Sequence, residues 1–424
     1  MHDLRVLREQ VDQLRDGLRR RGMLDGLSDV VERGQALEVE RRTLIAAADE
    51  RKARRNANAQ DVAKKKKAGE SADEQIALGR QLGDEITKLE HELASAEERL
   101  RGLLLEIPNV TLAGVPAGGE ENNVVVREWG TPRPPDGVKP HWDVAPALGM
   151  IDLERASKVS GSGFVFYRRN GARLIRALVS YFMDVHRAEH GYEEVWPPLM
   201  VNRATMTGTG QLPKFEDDAY ATRGDDLFLI PTAEVPVTNL YRDEILEADQ
   251  VPMAFVAYSK CFRREAGSAG KDTRGILRTH EFDKVELVRY ATPETSAEQL
   301  ELLTRHAETL LERLGLPYRR KLLSAGDTGA NSAMTYDLEV WAPGVGTWLE
   351  VSSCSNFTDY QARRANIRYR PAKGEKPRLV HTLNGSGLAF PRTIAALLEH
   401  YQNADGSVAV PAALQPYLGT DRLG

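Results

Sequence analysis

Hydrophobic and polar positions in the first quarter of the chain follow a seven-residue repeat. Apolar or small residues recur at alternating spacings of four and three at Leu82, Ile86, Leu89, Leu93, Ala96, Leu100, Leu103 and Ile107. A weaker run with the same rhythm contains Leu27, Val30, Gly34, Leu37, Arg41, Leu44 and Ala48. A heptad seam of this kind is typical of helices that pack along their length. The pattern therefore predicts two long helices that pair antiparallel.

A short polar segment, residues 68–74, separates the two predicted helices. Gly69 suits the left-handed residue that follows a helix C-cap, and Ser71 with Glu74 matches the capping-box pattern. We therefore expect the turn in this segment. About 35 residues per helix, at roughly 1.5 Å each, give a rod on the order of 50 Å. Such a rod is longer than a compact domain needs for its own stability, so we expect it to reach a distant partner.

The pattern changes at Pro108. None of the 21 Pro, 10 Phe, 5 Trp, 13 Tyr or 2 Cys residues precedes this position. Beyond it, short β-rich runs broken by Gly and Pro are interspersed with amphipathic helices predicted at about 170–190, 294–314 and 392–402. This pattern is typical of an α+β domain. The sequence predicts two domains, at 1–107 with a helical hairpin over about 27–105, and at 108–424.

One predicted strand of the second domain carries an unusual set of side chains on one face. Residues two apart share a strand face, and the set is Arg278, His280, Phe282, Lys284 and Glu286. The apolar Val285 and Leu287 are expected on the opposite face. Two cations, an imidazole, an aromatic ring and a carboxylate suit an anionic ligand that contains a ring. An open, solvated sheet face is the alternative interpretation.

Two further strands add to this hypothesis. The run from Tyr258 to Glu265 places Arg263 and Glu265 on one side, and a Gly-rich loop, Ala266–Gly275, follows it. The loop is not a Walker A motif, because the glycine spacing and the following helix are absent. The strand from Thr347 to Ser353 is expected to bring Glu350 and Ser352 to one face, next to Ser353. Oxygen ligands of this kind suit Mg²⁺ that is shared with substrate phosphates.

Composition and charge exclude several classes of protein. A net charge of −5, with 41% hydrophobic and 28% charged residues, is that of an ordinary soluble protein. No apolar run approaches the 18 or so residues of a membrane span, and the first residues lack a signal peptide's pattern. Two cysteines, Cys261 and Cys354, cannot form a disulfide framework or a four-cysteine zinc site. We expect a cytoplasmic protein without a membrane partner.

Local charge is uneven along the helical hairpin. Only one acid, Asp61, lies in the stretch 51–67, whose cations are Arg51, Lys52, Arg54, Arg55, Lys64, Lys65, Lys66 and Lys67. A solvated helix surface is one interpretation, since charge runs are usually no more than that. The other is a tip that contacts nucleic-acid phosphates without reading bases. The arm alone does not decide between them.

Three segments resemble a known family. The segment 191–200 resembles motif 1 of the class II aminoacyl-tRNA synthetases, Phe262–Glu286 resembles motif 2, and Asn384–Arg392 resembles motif 3. With Thr232, Ala233 and Glu234 between them and the helical hairpin before them, the chain is similar to seryl-tRNA synthetases of the bacterial type. The resemblance covers essentially the whole chain. It implies an antiparallel-sheet catalytic domain behind a two-helix coiled-coil arm.

The resemblance also implies roles for particular residues. Arg263 and Arg392 are the catalytic cations, on the α- and γ-phosphates of ATP, while Phe282 stacks on adenine near Glu265 and Thr279. By the same resemblance, Glu350 and Ser353 are expected to hold Mg²⁺. The implied ATP site further includes Arg264, Val351 and Ser352. The implied serine pocket consists of Thr232, Ala233, Glu234, Glu286, Asn384 and Ser386.

As the resemblance implies, the reaction is ATP-dependent attachment of L-serine to tRNA(Ser) through a seryl-adenylate, with tRNA(Sec) as a further acceptor where it exists. The arm then reaches the long variable arm of the tRNA across a homodimer, and the acceptor end enters the catalytic domain. Two alternatives stay open. One is a synthetase-like paralogue that activates an amino acid for a carrier protein, and the other is a non-catalytic coiled-coil protein that binds RNA or serves as a scaffold.

A pair of histidines has two interpretations. His186 and His190 lie four apart on a predicted helix, which is a spacing that zinc ligands use. No third ligand is evident in the sequence, and no Glu follows His186 directly. We therefore favour a structural pair on a helix face over a metal site. Cys261 is expected to be packed rather than catalytic.

Overall fold

The computed structural model describes residues 1–266 and 274–424. The central part of the predicted Gly-rich loop, 267–273, lies outside the described residues. The chain divides into two compact units, Met1–Pro108 and Asn109–Gly424.

The first unit is entirely helical over its regular elements, and the second combines helices with strands. The helices are α1 Leu4–Glu9, α2 Val11–Arg20, α3 Leu24–Lys67, α4 Asp73–Glu106, α5 His141–Ala147, α6 Leu153–Ser160, α7 Asn170–Ala188, α8 Arg203–Gly208, α9 Glu234–Thr238, α10 Ser296–Arg313, α11 Tyr360–Ala365, α12 Phe390–His400 and α13 Gln415–Leu418. The strands are β1 Val124–Trp129, β2 Ile151–Asp152, β3 Phe166–Tyr167, β4 Glu193–Val195, β5 Met200–Asn202, β6 Leu227–Leu229, β7 Ile245–Glu247, β8 Met253–Phe262, β9 Glu281–Ala291, β10 Tyr318–Leu322, β11 Met334–Ala342, β12 Thr347–Asn356, β13 Arg368–Arg370, β14 Arg378–Leu379, β15 His381–Ala389, β16 Val408–Ala409 and β17 Arg422–Leu423.

The predicted helical hairpin is confirmed as α3, with 44 residues, and α4, with 34 residues. The heptad positions of α4 that are buried include Leu82, Ile86, Ala96, Leu100 and Leu103. Ion pairs that lie further along α3 involve residues nearer the start of α4, as the antiparallel pairing requires. Arg41 pairs with Glu97, and Arg51 pairs with Glu85.

The turn between the two helices agrees with the prediction at the end of α3 but not at the start of α4. Gly69 has a φ of +74°, its N–H donates to Lys66 O, and the N–H of Glu70 donates to Lys65 O, which is a Schellman cap. The capping-box prediction was wrong. The N-cap of α4 is Ala72 without a side-chain cap. Ser71 lies one residue earlier, and its hydroxyl donates to Asp73 Oδ2 at 2.8 Å and accepts from the Asp73 N–H at 3.4 Å.

The second unit is built on an eight-stranded sheet with the order β1-β10-β11-β12-β15-β9-β8-β4. Neighbouring strands are antiparallel except β4 and β8, which are parallel. Helices α7, α10 and α12 lie where the sequence predicted helices, and they share one hydrophobic core with the sheet. Val285 and Leu287 of β9 are fully buried in that core. The predicted α+β class, with an antiparallel-sheet core and a helical arm, is confirmed.

Two strand boundaries differ from the predictions. Strand β9 begins at Glu281, so Arg278 and His280 precede the strand instead of sharing its face. Strand β8 ends at Phe262, so Arg263 and Glu265 follow it. Glu265 has a φ of +53°, which no regular strand permits. The expected alternation on one strand holds only for Phe282, Lys284 and Glu286.

No helix in the parts of the chain that the structure describes is long and apolar enough to cross a membrane.

Candidate active site

A cavity of about 540 Å³ lies against the sheet of the second unit. It contacts the face of β9 that is opposite the hydrophobic core, and residues of β12 and β15. The predicted site residues that line it are Thr232, Glu234, Arg263, Glu265, Thr279, Phe282, Glu286, Glu350, Val351, Ser353, Asn384, Ser386 and Arg392. Residues as far apart in the sequence as Thr232 and Arg392 therefore meet in one cavity.

Two arginines bring positive charge into the cavity. Arg263 follows β8, and its guanidinium Cζ lies 5.2 Å from the centre of the Phe282 ring. Arg392 lies in the first turn of α12, where its Nη1 donates to Glu350 O at 2.9 Å and its Nε lies 3.4 Å from Leu277 O. Arg392 Nη1 is also 3.6 Å from Glu350 Oε2, in an ion pair that is partly exposed. Backbone carbonyls thus orient Arg392. Its ion pair with Glu350 is long and partly exposed, so the guanidinium can still bind phosphate oxygens.

Strand β15 shows why motif 3 alternates small and polar residues. Asn384 and Ser386 line the cavity, whereas Gly385 and Gly387 face the helices behind the sheet. A Cβ at Gly385 would lie 2.5 Å from Leu303 Cδ2 of α10, and one at Gly387 would lie 2.8 Å from His186 Nε2 of α7. The glycines therefore let α7 and α10 approach the strand that carries the polar residues.

A buried network joins Thr232, Lys284 and Glu286. The Thr232 hydroxyl donates to Glu286 Oε2 at 2.9 Å and accepts from Lys284 Nζ at 2.7 Å. Lys284 also forms an ion pair with Glu286. Both charged residues are more than nine-tenths buried, so each needs the other as a partner. The network places a carboxylate, an ammonium group and a hydroxyl on one wall of the cavity.

Glu234, at the start of α9, lines the same region. The Gln361 amide donates to Glu234 Oε1 at 2.7 Å. Burial and the nearby Glu286 carboxylate raise the pKa of Glu234 to about 7. This carboxyl group therefore gains or loses its proton near neutral pH, and only its ionised form can bind a cation.

A β-bulge shapes the acidic end of the cavity. Ser353 pairs with Asp337 of β11, but Glu350 rather than Val351 pairs with Glu339. Val351 is thus an extra residue, which places Glu350 and Ser353 on one face. Burial and the Glu350 charge raise the pKa of Asp337 well above its usual value.

The bulge overturns one prediction. Ser352 does not share a face with Glu350, because its hydroxyl is buried and donates to Ser386 O at 2.6 Å. Two other predicted residues also lie outside the cavity lining. Ala233 is fully buried in a separate apolar cluster, and Arg264 is exposed. His280 contacts Gly163 and Phe164 rather than the cavity.

Several lining residues carry no role that the sequence predicts. Lys284 lies on the predicted strand face, but the sequence assigns it to no pocket. Thr335, Asp337 and Glu339 alternate along β11 and line an adjoining pocket that shares Glu350 and Ser353 with the cavity. This alternation could have indicated the acidic end of the site. Asn331 and Ser332 line the cavity from the segment before β11, and no periodic pattern marks such positions.

Of the two predicted helix-face histidines, His186 lies on α7 and His190 follows the end of that helix. His186 Nδ1 lies 3.0 Å from His190 Nδ1, and the His190 ring stacks on His306. Burial lowers the pKa of His186 well below its usual value. Across residues 1–266 and 274–424, no group of three or more His, Cys, Asp or Glu residues could hold a metal ion. Cys261 is fully buried, as expected.

The predicted tip cations of the arm fall into two groups. Arg51 donates to Glu85 of α4 at 3.2 Å, and Lys52 lies 2.8 Å from Glu90 of α4, so both pair across the hairpin. Lys65 donates to Gln75 Oε1 at 3.0 Å. The cations that are exposed to solvent at this end are Arg54, Arg55, Lys64, Lys66 and Lys67.

The sheet and its cavity define the core of a class II aminoacyl-tRNA synthetase. Residues 214–401 match the family model described as tRNA synthetase class II core domain (G, H, P, S and T), and residues 1–111 match the Seryl-tRNA synthetase N-terminal domain. The chain belongs to the seryl-tRNA synthetase family. It is 65% identical to the serine–tRNA ligase of Gemmatimonas aurantiaca over 420 residues, which cover 99% of both chains.

Other relatives and solved structures agree with this assignment. The serine–tRNA ligase of Geobacillus kaustophilus is 54% identical over 99% of both chains. The crystal structure of seryl-tRNA synthetase from Pyrococcus horikoshii complexed with ATP aligns with a TM-score of 0.94 and 39% identity, covering 100% of this chain and 99% of that one. The cytoplasmic serine–tRNA ligase of Naegleria fowleri in complex with AMP aligns with a TM-score of 0.87 and 29% identity, covering 99% and 98%. The family resemblance seen in the sequence is confirmed.

Proposed function

We propose that this chain is a serine–tRNA ligase that activates L-serine with ATP and transfers it to tRNA(Ser). The observation that carries the proposal is a single cavity that combines two arginines with a buried carboxylate network. The arginines suit the phosphates of ATP, and the carboxylates suit the ammonium and hydroxyl groups of serine. The relatives compared above are serine–tRNA ligases, and a seryl-tRNA synthetase of the same fold binds ATP.

Activation needs no nucleophilic side chain. The serine carboxylate attacks the α-phosphorus of ATP, and pyrophosphate leaves. We assign Arg263 to the α-phosphate and Arg392 to the γ-phosphate, where negative charge is redistributed during the transfer. We also assign Phe282 to stacking on the adenine ring, with Glu265 and Thr279 near its edge.

We propose that Mg²⁺ binds with ATP at Glu350 and Ser353. Hard oxygen donors fit this ion, and two protein oxygens suffice because substrate phosphates and water complete its shell. The ion would neutralise phosphate charge when it is bound. Glu350 and Ser353 lie on one strand face because of the bulge at Val351, so the chain itself sets the spacing of the two donors.

Adjacent serines provide a test of this metal assignment. Replacing Ser353 with Ala is expected to raise by several fold the Mg²⁺ concentration that gives half-maximal pyrophosphate exchange. Replacing Ser352 with Ala removes a hydrogen bond to Ser386 O and is expected to lower the free energy of unfolding by about 1 kcal/mol. It should leave the Mg²⁺ dependence unchanged. Equal Mg²⁺ dependence in both variants would contradict the assignment.

We propose that Thr232, Glu234, Glu286, Asn384 and Ser386 form the serine pocket. The buried carboxylates accept the hydrogens of the substrate's ammonium and hydroxyl groups. Alanine would leave one buried acceptor without a partner, and a site of this kind rejects an analogue that lacks the hydroxyl much more strongly than an apolar pocket does.

The pKa of Glu234 predicts a pH dependence for serine use. The ionised form holds the ammonium group, and with a pKa of about 7 that form is lost as the pH falls through 7. The kcat/KM for serine should therefore fall below pH 7, approaching about tenfold per pH unit. The KM for ATP should change little. Pyrophosphate exchange at subsaturating serine, measured from about pH 6 to 8, checks this, and a flat profile would contradict the role of Glu234.

For the second half-reaction, we propose that the arm formed by α3 and α4 contacts the long variable arm of tRNA(Ser). The exposed cations Arg54, Arg55, Lys64, Lys66 and Lys67 are the best placed for phosphate contacts, because Arg51 and Lys52 pair within the hairpin. We also propose a homodimer through the motif 1 region, with the acceptor end of the tRNA at the cavity. Where tRNA(Sec) exists, it would be charged in the same way.

Serine-dependent exchange of labelled pyrophosphate into ATP, followed by charging of tRNA(Ser), tests the function as a whole. Exchange without charging of any tRNA would favour a paralogue that serves a carrier protein. Absence of exchange in the folded protein would contradict the enzymatic assignment.

A further inference from the structure

We propose that Gln361 is a positioning residue for the serine pocket, which holds the Glu234 carboxylate in the orientation and in the ionised form that bind the substrate ammonium group. The inference rests on the proposed role of Glu234 as a ligand of serine. Gln361 itself lies behind the cavity wall, on α11, and is 1% exposed. It would therefore act through Glu234 and not through contact with substrate.

The hydrogen bonds of the Gln361 amide fix which way it points. Its Nε2 donates to Thr209 O at 3.2 Å, and a carbonyl oxygen can only accept. Its Oε1 accepts from the Thr382 hydroxyl at 2.7 Å. The remaining N–H of the amide donates to Glu234 Oε1 at 2.7 Å. All three contacts are satisfied by one orientation of the amide, so the donor is aimed at the carboxylate before any substrate arrives.

This hydrogen bond has two consequences for Glu234. It fixes the position of Oε1, and with it the plane in which the carboxylate presents its remaining lone pairs to a substrate ammonium group. It also favours the charged form, since a donor stabilises a carboxylate more than a neutral carboxyl group. A residue that only filled space behind the wall would do neither.

The charges around Glu234 make the contribution of Gln361 important. Strand β9 presents Glu286, which disfavours a second negative charge, and Lys284, which favours it. Strand β15 presents the neutral amide of Asn384, and α11 presents Gln361. The Gln361 hydrogen bond is direct, at 2.7 Å to Oε1, and together with the Lys284 charge it opposes the effect of burial on the Glu234 carboxyl group.

Replacing Gln361 with Glu provides a sharp test, because the shape is kept while the donor becomes an acceptor. The introduced carboxyl group and that of Glu234 would then have to share a proton. The midpoint of the pH profile of kcat/KM for serine is expected to rise by about one unit or more, and the KM for serine at neutral pH by about tenfold. Gln361→Met removes the donor without adding a charge and should shift the midpoint in the same direction by less. The KM for ATP should stay near its original value in both variants.

Gln299 offers a matched control. It is a buried amide on α10 that accepts from Arg289 Nε at 2.8 Å, so Gln299→Glu keeps its partner and lies outside the cavity lining. The pH midpoint for serine should not move in this variant. An equal shift in Gln299→Glu, or a loss of ATP binding in both Gln361 variants, would reduce Gln361 to a structural role and overturn the proposal.

Glu234→Gln separates this inference from the proposed function. It is expected to raise the KM for serine strongly and to remove its pH dependence near neutrality. If Glu234→Gln leaves serine use unchanged, the proposed pocket is wrong. If it impairs serine use while both Gln361 variants keep the original pH midpoint, the pocket stands and the role of Gln361 is wrong.

Discussion

Serine-dependent exchange of labelled pyrophosphate into ATP is expected to fall by at least about 100-fold when Arg263 is replaced by Ala. The guanidinium lines the cavity beside the Phe282 ring, where we assign it to the α-phosphate. Negative charge at that phosphate is redistributed as the serine carboxylate attacks. A cation that is already in place stabilises this charge more than water can, and its removal costs about 3 kcal/mol or more of transition-state stabilisation.

Arg264 provides the matched control for this variant. It is the next residue in the chain and the same residue type, but its side chain is exposed and outside the cavity lining. Arg264→Ala should keep exchange close to that of the original protein. Measuring kcat and the KM for ATP separately sharpens the comparison, because a cation that acts mainly in the transition state changes kcat more than KM. Similar losses in both variants would contradict the assignment of Arg263.

Deletion of residues 27–105, closed by a short flexible linker, is expected to leave pyrophosphate exchange nearly unchanged and to lower charging of tRNA(Ser) by at least about 100-fold. The cavity residues all belong to the unit Asn109–Gly424, so activation does not require the arm. Charging of tRNA(Ser) does require the arm, because the deletion removes the cations that we assign to tRNA phosphates. The antiparallel pairing of α3 and α4 brings the two cut ends together, which makes a short linker sufficient.

Replacing Lys64, Lys65, Lys66 and Lys67 with Ala is the milder companion to the deletion. The helices should remain, because Lys64, Lys66 and Lys67 are exposed and Lys65 contributes a single hydrogen bond to α4, at Gln75 Oε1. The KM for tRNA should rise, and its dependence on salt should flatten, since fewer counterions are released on binding. An unchanged salt dependence would assign the lysines to a solvated surface, and loss of exchange in the deletion would show that the arm supports the catalytic unit.

The arm is the most predictable part of the fold. A heptad seam is a local pattern, and a run without Pro or aromatic residues leaves few competing structures. The Gly69 cap is equally predictable, because only a residue in the left-handed conformation closes that turn well. The second cap differs from its prediction because α4 begins at Asp73, so Ser71 lies one residue before the N-cap position and bonds to Asp73 rather than to Glu74.

The candidate site is predictable where strands alternate regularly, as for Phe282, Lys284 and Glu286. Sequence reasoning fails where the alternation is interrupted, as at Ser352. It also misses partners that the fold brings together from distant segments. Gln361 and Glu234 are 127 positions apart in the sequence, and nothing in the segment around Gln361 indicates that partner.

The bulge at Val351 determines which residues of strand β12 face the cavity. Two neighbouring serines have the same chemistry, and a single extra backbone residue decides which of them reaches the cavity. In a chain without the extra residue, the hydroxyl that shares a face with Glu350 would follow it by two positions instead of three. A relative that is one residue shorter at this point would keep both oxygen donors. An alignment that put the gap at the wrong residue would nevertheless appear to remove one of its two serines. Site positions in related chains should be numbered from the bulge, and a gap in an alignment of this strand belongs at Val351.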